Sequence, residues 1–340
     1  MNPSREHVYV TQLDVESKRY EVLLEKLKNR YKTENIKIQD HIDLEYVLKS
    51  AEDKIIGFAT RDLCADYETL RKLSDRYSRA GKKILIITDS FMQSTRVDFP
   101  NLSIVSVPEL LSFSSSFDDA MPDSSEKKLY NCFIHRVDPN RQSWFYFLYH
   151  YNLLNKGYVS FLLYQIYKIG DKELFDKNHK EYLAELDHFN RAYDHLRSKV
   201  PYKNFSDNGD LINLVAECKY SLDLDTYATN DDHFAKYISE KIVRSLESPT
   251  LSLMYVQQGT LEHLKKHNFE FPDELMDIDR KNWIGRQQDI LKILRDDCIE
   301  TNKKQVVEKA AHNRDIFEQW YNRVTEKDFF DKFVDEVKSW

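Results

Sequence analysis

The chain has 340 residues, 41% of them apolar and 13% aromatic, and a formal charge of −7 at pH 7. That length bounds the organisation at about two domains of ordinary size, and the apolar share excludes wholesale disorder. The acidic balance argues against a general nucleic-acid binder, while leaving room for a local basic cleft.

In chain order, His7–Leu13 (HVYVTQL) is a short β-rich run and Tyr20–Tyr31 has helical periodicity. Ile36–Ile38 reads as a strand, Asp43–Ser50 as a helix, and Ile55–Ala59 as an apolar run ending in Thr60-Arg61-Asp62. The polar helix Asp66–Arg79 stops at Gly81, a C-cap signal. Lys83–Thr88 (KILIIT) is the clearest strand and ends at Asp89-Ser90, and Leu102–Val107 is another. The Ser/Asp-rich stretch Ser112–Glu126 reads as a linker.

Beyond it, Lys128–His135 is a strand and Arg141–Leu154 an aromatic helix whose Trp144–Tyr151 run matches helical burial. Lys156–Leu163 is a strand, Glu173–Val200 a long charged helix, and Leu211–Ala216 (LINLVA) a strand ending at Glu217. An irregular loop, Tyr220–His233, leads into a helix within Lys236–Leu246 (KYISEKIVRSL). Leu251–Val256 follows as a strand and Thr260–Lys266 as a helix with Thr260 as N-cap, while Trp283–Trp340 reads as helical throughout. Strands alternating with helices at this spacing imply parallel βαβ units and an α/β class. The expected division is an N-terminal domain at 1–115, a linker at 116–127, a C-terminal domain at 128–300, and helices at 301–340 that have the N-terminal domain as a packing partner.

Only 7 glycines occur, and no G-x-G-x-x-G or G-K-[ST] run is among them. A bound nucleotide therefore has to be held by a helix start and side chains. Lys236–Leu246 offers this: a Tyr, two residues, then an adjacent Glu-Lys pair at a helical first turn, where unpaired N–H groups and a Lys suit a phosphate. The plain alternative is an ordinary capped helix, with Ser239 as cap, Glu240 favouring the dipole and Lys241 solvated. Asp14, Asp62 and Asp89 follow strand ends, where α/β domains contact ligands, although Asp after a strand is commonly a cap or turn residue.

With Glu217, Tyr237, Glu240 and Lys241 in view, INLVAEC followed by YISEKIVRSL resembles the donor-binding half of the α1,3-fucosyltransferases. In that family a strand ending in an acidic residue precedes a Y-[IV]-T-E-K helix start. Cytoplasmic bacterial and viral relatives are closer in layout, through CFIHRVDPNRQSWFYFLYHYNLL and the strand YVSFL. The similarity covers residues 128–270. It implies two Rossmann-like domains in the GT-B arrangement, with a helical C-terminal segment. It implies that Lys241 and Arg141 hold the diphosphate of a nucleotide-sugar donor, GDP- or UDP-linked, that Glu240 and Tyr237 contact ribose or sugar, and that Glu217 shapes the pocket. Arg136 competes for the role of Arg141, and spacing does not separate them. Cys218 stands where the family has Asn, extra residues precede Tyr237, and TLSLMYV replaces a Val-Pro-rich strand.

Asp223-Leu224-Asp225 and Asp277-Ile278-Asp279 are D-x-D pairs, which in another glycosyltransferase fold bind a metal. With 57 acidic residues such pairs arise by chance, and solvated loop carboxylates are the favoured reading. His263 and His267 lie four apart on a helix, but HLKKH lacks the Glu of H-E-x-x-H, so surface histidines are expected. His312-Asn313 in KAAHNRDIF reads as structural. The cysteines, Cys64, Cys132, Cys218 and Cys298, have no C-x-x-C spacing and read as reduced. The N-terminus has no apolar signal core, and no stretch approaches the ~20 apolar residues of a membrane span.

The expectation is thus a cytoplasmic, bacterial or viral, metal-independent glycosyltransferase needing no cofactor. A glycan acceptor enters from the N-terminal domain, with Asp62 or Asp89 as base. The alternatives are a metal-dependent D-x-D transferase, a viral enzyme glycosylating modified DNA bases, and a catalytically silent interaction module.

Overall fold

Alternating apolar runs and amphipathic helices build two separate sheets. The computed structural model describes residues 8–12, 24, 25, 29, 36–39, 48, 49, 54–59, 67–92, 96–114, 128–134, 139–161, 214–225, 228, 236, 238–272, 283–296, 303–326 and 329. The chain divides into two compact units. Unit 1 comprises Met1–Ser116, Asp232–Val243 and Asp315–Trp340, and unit 2 comprises Phe117–Asp231 and Arg244–Arg314.

Unit 1 carries β1 (Val8–Gln12), β2 (Ile36–Gln39), β3 (Lys54–Ala59), α1 (Tyr67–Arg79), β4 (Lys83–Thr88), β5 (Arg96–Phe99) and β6 (Leu102–Ser106). The strand order is β2-β1-β3-β4-β6-β5, parallel except for the edge strand β5, which runs antiparallel to β6. β5 (RVDF) is too short and polar to be read from periodicity. Leu70, Leu73 and Tyr77 fall on one face of α1 and pack on Ile55, Ile84, Ile86, Leu102 and Ile104. Each such aliphatic side chain contributes roughly 1.5–3 kcal/mol by leaving water. Gly81, at φ +67, ends the helix in the left-handed conformation that only glycine adopts without strain. A 3-10 helix at Pro108–Ser114 occupies the start of the expected linker, and Ser112 is buried there with its hydroxyl on Glu109 O at 2.7 Å. The remainder of that linker lies outside the described residues.

Unit 2 carries β7 (Lys128–Ile134), α2 (Pro139–His150), β8 (Gly157–Phe161), β9 (Cys218–Leu224) and β10 (Leu251–Tyr255), ordered β10-β9-β7-β8 and all parallel. Between β9 and β10 lies α3 (Glu240–Glu247), and α4 (Thr260–Lys266), α5 (Trp283–Asp296) and α6 (Lys303–Thr325) follow. The boundaries of the units fall inside α3 and α6. Trp144, Phe145, Phe147 and Leu148 of α2 are buried, as expected, whereas Tyr149 at the end of the same aromatic run is exposed and Tyr151 half-buried. Gly157 is required where β8 starts, because a Cβ there would stand 2.6 Å from the Tyr130 ring.

Two expectations about the elements of this unit fail. Leu214–Ala216 are helical, not the end of a strand, and the strand is instead Cys218–Leu224 (CKYSLDL), most of which falls in the segment Tyr220–His233 read as a loop. A short apolar run such as LINLVA does not separate helix from strand, and the polar positions of CKYSLDL hide its burial. Thr260 is the first helical residue rather than the cap, which is Gly259 at φ 83. The helix expected at Glu173–Val200 lies outside the described residues.

His312 and Asn313 are structural, as expected. Asn313 Nδ2 donates to Glu270 O at 2.8 Å while its Oδ1 accepts from Glu270 N at 2.7 Å, and His312 Nε2 pairs with Asn268 O at 2.7 Å. The result is an α/β protein with largely parallel sheets. Among the described residues no helix is long and apolar enough to cross a membrane.

Candidate functional site

In unit 1 the site starts from β4, an apolar strand that delivers Thr88, Asp89 and Ser90, all buried, at its carboxyl end. Immediately beyond, Phe91 pairs with Lys236 in an isolated antiparallel bridge, with N–H to O distances of 2.8 and 2.6 Å. This joins the Asp89 turn to the segment that leads into α3. Ile238 anchors that segment at 1% exposure, and Val243 N donates to Ser239 O at 3.2 Å, placing Ser239 at the N-cap.

The hydroxyl of Ser239 does not cap. It is buried with no hydrogen-bond partner, and so is the hydroxyl of Ser90, whose backbone is held by Thr88 Oγ1 at 3.2 Å and by Ser106 Oγ at 2.7 Å. Buried hydroxyls left without partners are uncommon and call for an explanation. Ser239 precedes a helix amino terminus, where N–H groups and the dipole favour an anion, Lys241 stands half-buried in its first turn, and Ser90 precedes the bridged Phe91. Asp89, at 1% exposure, is covered, so service as a base requires a conformation that uncovers it. Glu240 opens the helix. Its side chain, with Tyr237, Asp14, Asp62, Arg136, Asp277 and Asp279, lies outside the described residues.

In unit 2 the chain crosses from β8 on one side of β7 to β9 on the other. This creates a switch point between β7 and β9, and open α/β sheets bind ligands at the carboxyl ends of such strands. Arg141, in the first turn of α2, lies there at 2% exposure and donates Nη2 to Leu224 O, the last residue of β9, at 3.1 Å. Arg286 on α5, a residue the sequence did not single out, donates Nη2 to Ala228 O at 2.7 Å. The turn leaving β9 is therefore gripped by two buried guanidiniums.

The first D-x-D pair is not a pair of solvated loop carboxylates. Asp223 lies within β9, accepting from Ser221 Oγ at 2.9 Å and from Ser252 Oγ, and Asp225 follows fully buried with its N–H on Tyr255 O at 3.0 Å. Both oxygens of Asp223 are thus turned to serine hydroxyls inside the sheet rather than to a metal position. Among the described residues no three His, Cys, Asp or Glu side chains gather as metal ligands. His263 and His267 are half-buried residues at α4.

Glu217 is at the wrong end of its strand for the expected pocket. It precedes β9, and its Oε2 accepts from Tyr158 Oη at 2.8 Å. That bond is the main reason the Tyr158 phenol is pushed up to about 12. The neighbouring Cys218 is buried, makes no disulfide, donates to Leu214 O at 3.2 Å and is pushed up to about 12 by desolvation, so it is an inert thiol. Comparison with known proteins returns no matching family model and no matching curated sequence.

Proposed function

We propose that the protein is a glycosyltransferase using a nucleotide-sugar donor, its two units being the Rossmann-like halves of a GT-B enzyme. The observation that carries this reading is the Phe91–Lys236 bridge, which ties the carboxylate-bearing end of β4 to the amino terminus of α3 within one unit. An acid end and an anion end are what the reaction needs. The acceptor hydroxyl attacks the anomeric carbon, its proton passing to a carboxylate, for which Asp89 is the described candidate. The bond from that carbon to the phosphate oxygen breaks, and the nucleoside diphosphate departs with the electron pair. The negative charge that develops there is stabilised by Lys241, the first-turn N–H groups of α3 and the Ser239 hydroxyl.

Support from unit 2 is separate: Arg141 puts a cation at the switch point of a parallel sheet. The acceptor is proposed to be a glycan hydroxyl. The seating of Asp223 between two serines is what weakens the D-x-D alternative.

Thermal denaturation with GDP, UDP and their sugars tests the reading. One of them should raise the melting temperature, and Lys241→Ala should weaken that nucleotide about tenfold, or about 1.4 kcal/mol. If no nucleotide shifts the transition, or Lys241→Ala leaves the shift intact, the assignment fails.

A further inference from the structure

Glu247, the last residue of α3, is a buried ionisable group for which the proposed transfer has no use. The residue is 7% exposed, and Oε1 is buried with no hydrogen-bond partner. The hydroxyls next along the chain donate elsewhere: Ser248 Oγ to Ser245 O at 3.1 Å and Thr250 Oγ1 to Val215 O at 2.8 Å. A helix carboxyl terminus also presents partial negative charge, which disfavours a carboxylate.

We propose that α3 carries a proton switch, in which neutral Glu247 seats the last turn of the helix in unit 2 and its ionisation releases that turn. A carboxylate buried without a full set of partners either holds a proton or moves to water. Moving Glu247 to water disturbs Leu246 beside it, which is buried at 2% exposure. Desolvation raises the Glu247 pKa from 4.5 to about 8, and Arg244, one turn earlier on the same helix, offsets part of that rise. Among the described residues no ionisable group from a neighbouring element adds to these causes.

The sign follows from proton counting. Between pH 4.5 and about 8 the folded chain holds a proton that the unfolded chain has lost, so stability falls as pH rises through that window. Because α3 is only eight residues long, loosening its last turn also weakens its first, the proposed diphosphate anchor. That second consequence rests on the transferase reading, whereas the switch itself does not.

The test compares wild type with Glu247→Gln, which keeps shape and removes ionisation. From pH 5 to 8 the folding equilibrium constant of wild type, relative to the variant, should fall about tenfold per pH unit and then level off. In wild type the Glu247 side-chain carboxyl carbon should titrate near pH 8 by NMR, a readout that does not depend on the variant folding. Parallel stability profiles, or a titration near the ordinary 4.5, overturn the switch. If the switch behaves as stated while neither GDP nor UDP binds at any pH, the transferase reading fails and the switch stands.

Discussion

The two sheets solve burial in different ways. In unit 1, β4 buries five of its six residues using only aliphatic side chains and a threonine. In unit 2, β9 buries six of its seven residues but carries Ser221 and Asp223 into the interior, where Asn131, Ser221, Asp223 and Ser252 bond one another. The aliphatic sheet needs only volume and pattern, while the polar sheet needs each donor to meet its acceptor. The first kind of order tolerates conservative repacking, and the second fails when one partner is removed.

Substitutions can break or sharpen that contrast. The largest effect is expected from Ile86→Ala in the unit 1 core, about 4 kcal/mol, since Ile86 is fully buried. Ile86→Val should lose only about 1 kcal/mol. Asp223→Ala in unit 2 should cost about 3 kcal/mol, because it orphans the buried Ser252 hydroxyl and leaves that of Ser221 with Asn131 Oδ1 alone. The same-shape change Asp223→Asn should still cost more than Ile86→Val, because an amide has one acceptor oxygen for two donors. Equal losses for those two mild changes would erase the distinction. Gly157→Ala should cost about 2 kcal/mol, as its methyl would meet the Tyr130 ring at 2.6 Å and Tyr130 O at 2.7 Å. Segment-resolved hydrogen exchange during urea unfolding reads each loss in its own unit, which a single melting temperature does not.

The same contrast explains what was legible. β4 and α1 are read from sequence almost to the residue, because their evidence is local: an aliphatic run, a helical stripe and a glycine stop. The site is legible in part. Asp89, Arg141 and Lys241 are found where strand ends and helix starts put them, but Glu217 is assigned to the wrong end of β9. That error has one cause, the choice of LINLVA over CKYSLDL as the strand. Nothing in the heptapeptide reports that Ser252, 29 positions away from Asp223, will neutralise the cost of burying it. Arg286 carries no local signal for the same reason: its role is set by Ala228, 58 positions away.

By itself the sequence determined the α/β class, the aliphatic core of unit 1 and the helix start at Lys241, since hydrophobic period and capping chemistry act over a few residues. Tertiary structure alone decided the register of β9, the burial of the Asp223 and Asp225 carboxylates, the seat of Glu247 and the bridge from Phe91 to Lys236. Each of these depends on partners distant along the chain, and the desolvation of a polar group has no definite cost until those partners are in place.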